Sequence, residues 1–147
     1  MHDIDVSVLA PDTALRDMID ALPGRKFIFT NGTQDPATRV ATRLGIGDLF
    51  HDIFDIVSAN YVPKPNAQIY TAMLAQFGIE AHRSAFFEDM ARNLPPARAL
   101  GMTTVLLRDA DTPDYGGPVG DEHIDHHAPD LKDILARILE HLGRASG

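Results

Sequence analysis

A short apolar run, Phe27-Ile28-Phe29, breaks off abruptly into Thr30-Asn31-Gly32. A buried parallel strand accounts for so sudden a change, because it is covered on both faces and still delivers its last residues to the rim of a sheet. Further on, Val62-Pro63-Lys64-Pro65 and Phe86-Phe87-Glu88-Asp89 bring a lysine and a carboxylate pair from separate stretches of chain. A hydroxyl, an ammonium and two carboxylates arriving in this order have the chemistry of a phosphate and metal site.

The rest of the chain alternates helix with strand. Asp12 can cap a helix running to Leu22, with Leu15, Met18, Ile19 and Leu22 on one face, and Pro23-Gly24 ends it. Lys26 to Thr30 reads as a strand, Pro36 to Leu44 as a helix, and Gly45 stands where a left-handed cap belongs. Phe54 to Ser58 is expected as a second strand. Pro65 opens a helix to Phe77 with Ile69, Ala72, Met73 and Phe77 as its buried stripe. Ser84 to Glu88 and Thr103 to Leu107 are further strands. Between them a short helix from Leu94 to Leu100 holds Pro95 and Pro96 in its first turn. Asp109 to Gly120 is loop-like, within a loop-rich segment over 109–129, and Asp130 to Leu142 forms a closing amphipathic helix. The expectation is an α/β fold, a Rossmann-like parallel sheet with flanking helices in one domain over 1–147. Such folds bind ligands at the carboxyl ends of strands. Thr30, Glu88 and Asp89 lie at such ends, and Lys64 lies in a loop that follows one.

Composition narrows the partners. The 147 residues suffice for one domain with its own core. A formal net charge of −8 argues against nucleic acid and anionic membranes, which need a basic surface, but allows a small phosphorylated substrate. With no cysteine there is neither a disulfide framework nor a thiolate metal site. No apolar run reaches the length of a membrane span, and the first residues lack the basic and apolar regions of a signal peptide, so a cytoplasmic location is expected.

The chemistry can be assigned residue by residue. Phosphoryl transfer is mostly positioning and charge neutralisation. The hydroxyl and backbone amides of Thr30-Asn31-Gly32 can hold phosphate oxygens, and Gly32 lets the backbone come close. Lys64, between two prolines, offers those oxygens a point charge. Asp89 is a hard oxygen ligand suited to Mg2+, Glu88 belongs in its outer shell, and Asn93 can turn back to orient the carboxylate. Taken singly, each has a plainer reading: an ordinary turn, a solvated surface lysine, and acidic residues favoured at a helix N-terminus.

Three segments carry a resemblance: Phe27-Ile28-Phe29-Thr30-Asn31-Gly32, Tyr61-Val62-Pro63-Lys64-Pro65, and Phe87-Glu88-Asp89-Met90-Ala91-Arg92-Asn93-Leu94. Over residues 2 to 108 the chain resembles the haloacid-dehalogenase-like hydrolase superfamily, and within it the pyrimidine 5′-nucleotidase-like branch. The resemblance implies that Thr30 and Asn31 bind the phosphoryl group and that Lys64 stabilises it. It implies that Asp89 ligates Mg2+ with Glu88 beside it.

One departure stands out. Members of that superfamily begin with a strand ending in a D-x-D-type motif, whose first Asp attacks phosphorus and whose second is the general acid/base; a cap domain follows. The text found here resembles what comes after the cap, so the expectation is a C-terminal portion without its nucleophile, impaired or inactive as an isolated chain. Asp3-Ile4-Asp5-Val6-Ser7 matches D-x-D-x-S on paper, but only Met1 and His2 precede it. If Asp3 starts a strand parallel to the one Thr30 ends, about six residues separate the two groups by about 20 Å. Asp3 and Asp5 are therefore read as decoys. In the family's sheet the nucleophile strand lies between the Thr30-type and Asp89-type strands. Its loss predicts that the Asp3–Leu9 segment fills the gap, that a second chain does so by strand complementation or as a homo-oligomer, or that the domain is marginal and associates.

Asp121, His123, Asp125, His126 and His127 are a compact group of potential zinc or nickel ligands. Their spacing is not one that a helix or strand focuses, and the plainer reading is a polar approach to the last helix. The leading functional expectation is a Mg2+-dependent phosphomonoester hydrolase of nucleotidase type. The rivals are a non-catalytic phosphate- or nucleotide-binding or regulatory module, and a fragment without independent function.

Overall fold

The computed structural model describes residues 10–108 and 123–145. Asp3, Asp5, Asp121 and the stretch expected as a loop over 109–120 lie outside the described residues. Strands and helices alternate, and every strand pairing among the described residues is parallel. The α/β expectation holds. The chain divides into two compact units, one formed by Met1–Tyr61 with Leu135–Gly147 and the other by Val62–Ile134. No helix among the described residues is long and apolar enough to cross a membrane.

In the first unit, α1 spans Thr13–Ala21. Its N-cap is Asp12, whose carboxylate accepts the Leu15 amide at 3.0 Å, and its buried residues are Leu15 and Ile19. The Lys26 ammonium donates to the carbonyl of Leu22 at 2.8 Å, a cation on a helix C-terminus. Strand β1 is Phe27–Phe29 and β2 is Asp52–Phe54, in register Phe27↔Asp52, Ile28↔Ile53, Phe29↔Phe54. Helix α2, Gln34–Leu44, joins them and ends at Gly45, whose φ of 79° is left-handed. Glycine takes that conformation without the Cβ penalty other residues face. Arg16 ties the turn after α2 back to α1, donating to the Gly45 carbonyl at 2.7 Å and to both Asp48 oxygens at 2.6 and 2.9 Å.

The second unit contains α3, Ala67–Phe77; β3, Ala85–Glu88; α4, Pro95–Ala99; β4, Thr103–Leu107; and β5, His126–Ala128. The strand order is β3-β4-β5. Its core includes Tyr70, Leu94, Ala97, Val105 and Leu106, each at 2% exposure or less. Helix α5, Leu131–Ala145, closes the described chain.

Five expectations need correction. The second strand is not Phe54–Ser58 but Asp52–Phe54. It ends where the buried Asp55 carboxylate captures the Ser58 amide at 2.8 Å and turns the chain. Helix α2 starts at Gln34, two residues before Pro36, because the same carboxylate accepts the Gln34 amide at 3.0 Å. Helix α3 starts at Ala67 and not at Pro65, since Asn66 is the N-cap and accepts the Gln68 amide at 3.0 Å. Its buried stripe carries Tyr70 in place of Ala72, which is exposed. Strand β5 was not foreseen. It joins β4 in register Val105↔His126, Leu106↔His127, Leu107↔Ala128, where its backbone supplies pairing that its polar side chains do not advertise.

Candidate functional site

Two clusters hold the side chains singled out by sequence, one in each unit. In the first, Thr30 follows β1 directly and its amide donates to the Phe54 carbonyl at 3.0 Å. The Thr30 hydroxyl oxygen accepts the Gly32 amide at 3.1 Å. The Gly32 carbonyl accepts the Ile56 amide at 3.0 Å. The amides of Thr30 and Gly32 are thus committed inside the fold. What the turn presents from Thr30 is its hydroxyl proton, because an oxygen that accepts one hydrogen bond can still donate another. Thr30, Asn31 and Gly32 are all half-buried.

Asp55 builds this turn. It is 6% exposed. One carboxylate oxygen accepts the Ser58 amide and hydroxyl at 2.8 and 2.9 Å, and the other accepts the Gln34 amide at 3.0 Å. The Ser58 amide chiefly, with burial opposing and the Ser58 hydroxyl and Gln34 amide adding, holds the carboxyl below the usual range. Asp55 escapes a sequence reading that carries the strand through it. The available signal was Asp-x-x-Ser directly after an apolar run, the pattern of a carboxylate bonding its own backbone further on.

The second cluster is charged. Lys64 and Glu88 form an ion pair at 2.7 Å, each side chain 7% exposed. The Lys64 ammonium also lies 5.5 Å from the centre of the Phe86 ring. Glu88 is the last residue of β3, and both its oxygens are shared out. One accepts Lys64 and the Asn93 side-chain amide at 3.0 Å; the other accepts the backbone amides of Asp89 and Met90 at 2.9 and 3.2 Å. Burial alone would push this carboxyl up. The Lys64 ammonium, helped by hydrogen bonds from Asp89 and the Met90 amide, outweighs burial and holds it below its ordinary value.

Asp89 is exposed, yet its carboxyl is pushed up to about 6. The cause is first its hydrogen-bonded contact with Glu88, then burial, then the Glu88 charge. The lysine neutralises one carboxylate, and the second is left in a locally negative place. That donor set fits a hard dication. Among the described residues no three His, Asp or Glu side chains converge as a ready-made cage. Asp89 would therefore share the ion with waters and ligand oxygens, the arrangement Mg2+ favours. Asn93 donates its side-chain amide to Glu88 and is 2% exposed.

The polar group before α5 is organised otherwise. The Asp125 carboxylate accepts the Thr104 amide at 2.9 Å and pairs with Arg98 at 3.3 Å. The His123 carbonyl accepts the Thr104 hydroxyl at 2.6 Å. His126 and His127 are consecutive strand residues, so their side chains leave opposite faces. These groups hold β5 to β4.

A model of a hydrolase family, described as haloacid dehalogenase-like hydrolase, matches residues 7–101. Among curated proteins, bifunctional epoxide hydrolase 2 of Sus scrofa is 33% identical over 88 residues, which is 58% of this chain and 16% of that protein. The L-2-haloacid dehalogenase of Xanthobacter autotrophicus, solved with chloropropionic acid covalently bound, superposes with a TM-score of 0.68 at 16% identity. That match covers 90% of this chain and 62% of the dehalogenase. A hydrolase of the same family from Deinococcus radiodurans, solved with phosphate and sodium, gives a TM-score of 0.64 at 19% identity, covering 90% of this chain and 60% of that one. At such identities the solved structures speak for the fold alone. The chain spans under a fifth of the length of the pig protein and less than two thirds of these solved chains.

Proposed function

Because the chain belongs to the haloacid dehalogenase-like hydrolase family, we propose that it serves Mg2+-dependent hydrolysis of phosphate monoesters, with nucleoside monophosphates as the substrate class. The observation that carries this reading is the buried Lys64–Glu88 pair with Asp89 next to it at the end of β3. A lysine fixed by a carboxylate is a preorganised point charge. A carboxylate pushed up by its hydrogen-bonded contact with Glu88, by burial and then by the Glu88 charge gains from a dication.

The roles follow. The Thr30 hydroxyl donates to a phosphoryl oxygen, and Asn31 and Gly32 shape the turn that presents it. Lys64 opposes the charge on the phosphoryl group. Asp89 would hold Mg2+, and Glu88, through the Asp89 and Met90 amides, fixes the backbone from which Asp89 reaches out. Bound there, Mg2+ supplies charge neutralisation at the phosphate. None of these residues is the attacking carboxylate. Low turnover by this chain alone, or turnover completed by strand complementation from a second chain or in a homo-oligomer, belongs to the same proposal.

The committed amides of Thr30 and Gly32 and the absence of an attacking group among these residues favour one second reading, a phosphate- or nucleotide-binding or regulatory module without turnover. Phosphate release from nucleoside monophosphates, with and without Mg2+, separates the two. The first reading expects Mg2+-stimulated release that Lys64→Ala and Asp89→Asn each abolish. Vanadate or inorganic phosphate binding without release, lost in Lys64→Ala, supports the second. Neither release nor binding overturns both.

A further inference from the structure

We infer that Tyr70 is a positioning residue for the Lys64–Glu88–Asp89 cluster, acting through Asn93. The inference rests on the functional reading above. Tyr70, on α3, has no exposed surface, and its hydroxyl donates to the backbone carbonyl of Asn93 at 2.6 Å. Asn93 ends the single helical turn Ala91–Asn93, and its side-chain amide donates to the Glu88 oxygen that also holds Lys64. One line of hydrogen bonds thus runs from the middle of α3 to the ammonium at the site. The aromatic layer follows the same path. The Tyr70 ring meets Phe86 edge to face at 5.9 Å, and Phe86 lies under the Lys64 ammonium at 5.5 Å.

Packing alone does not call for tyrosine here. A phenylalanine would fill the ring's place without burying a hydroxyl, which is unfavourable unless it is bonded. The oxygen is tolerated because the Asn93 carbonyl receives its proton. Burial, together with the Glu88 charge, pushes the phenol up, so it remains a donor across the working pH range.

Asn93 supplies the reason a clamp is needed. Its side-chain oxygen is buried with no hydrogen-bond partner among the described residues. Such an acceptor is a cost that the turn would relieve by rotating toward water, carrying the Asn93 amide off Glu88. The bond from Tyr70 holds the backbone of Asn93 itself and opposes that rotation. Released from it, Glu88 would lose a donor, and the Lys64 ammonium would lose its fixed direction.

The test uses the full chain and two readouts, solvent exchange of the Asn93 side-chain amide by NMR and affinity for Mg2+ by calorimetry. Tyr70→Phe is expected to speed the amide's exchange about tenfold and to weaken Mg2+ binding about 10-fold, as loss of an outer partner does. Phe77→Leu, a packing lesion on the same helix, is expected to lower stability without moving either readout. An Asn93 amide that exchanges in Tyr70→Phe as in the parent overturns the inference. Should the parent bind no Mg2+, the functional reading loses its metal, and the amide still decides the role of Tyr70. Should Tyr70→Phe not fold, the unaltered chain answers. A slowly exchanging Tyr70 hydroxyl proton close to Asn93 supports the clamp, and its absence overturns it.

Discussion

At the end of β1 Thr30, Asn31 and Gly32 are uncharged and half-buried, and the hydrogen bonds of Thr30 and Gly32 hold a backbone turn. At the end of β3 they are charged and buried, and the pair that matters joins residues 24 apart in the chain. The first cluster is organised by one carboxylate, Asp55, whose hydrogen-bond donors among the described residues include the uncharged Gln34 amide and the Ser58 amide and hydroxyl. The second has a carboxylate matched to an ammonium and another left over. Neutral turns fail gently, because water can replace what a lost side chain provided. A buried ion pair fails badly, because the surviving charge has no such substitute.

The sharpest way to break this comparison is Lys64→Ala. It strands the Glu88 carboxylate at 7% exposure and should cost about 3–5 kcal/mol in urea unfolding. The double variant Lys64→Met/Glu88→Leu should recover most of that. A loss under about 1 kcal/mol for the single variant would mean the pair is hydrated like a surface bridge. Asp55→Ala should cost less, about 1–2 kcal/mol, because three hydrogen bonds to uncharged groups are lost at a turn. Thr30→Val, which deletes the hydroxyl that accepts the Gly32 amide, should cost about 1 kcal/mol and, with the proposed phosphate donor gone, abolish phosphate binding.

The smallest effect should have the opposite sign. Asp89→Asn removes an exposed like charge beside Glu88 and should stabilise the protein by about 0.5 kcal/mol at pH 8. The folded Asp89 carboxyl is raised to about 6, so the stability it contributes is complete below its unfolded value and lost as pH rises through about 6. At pH 4 the substitution should therefore be nearly silent. Asp55 runs the other way. Its folded value is depressed, so its stability is complete above the unfolded value and lost as pH falls through the lower folded one. Unfolding midpoints of Asp55→Asn and the parent should converge on acidification and separate at neutral pH.

Much of this architecture can be read residue by residue. The cap at Asp12, the left-handed Gly45 and the strand Thr103–Leu107 follow from local chemistry, and each stands where the chain predicts it. The strand expected over Phe54–Ser58 stops at Phe54 because Asp55 is not a residue of the run but an acceptor for amides on both sides. Strand β5 was hidden because its two histidines have no strand pattern and only pairing with β4 makes them one. Tyr70 was hidden more deeply. Its ring could be predicted as core from helical spacing, but its hydroxyl has meaning only against a carbonyl 23 residues away.

The sequence alone carried this protein's α/β alternation and its family resemblance, and it raised the expectation of groups suited to phosphate and Mg2+. Those properties are local or additive: apolar runs, caps, and residue types at strand ends. Tertiary structure decided which donors are still available. It committed the Thr30 and Gly32 amides inside the fold, paired Lys64 with Glu88 out of water, and set Asp89 against Glu88, a contact that pushes the Asp89 carboxyl up. Hydrogen-bond partners and burial depend on distant segments meeting, and no count of residue types contains that information.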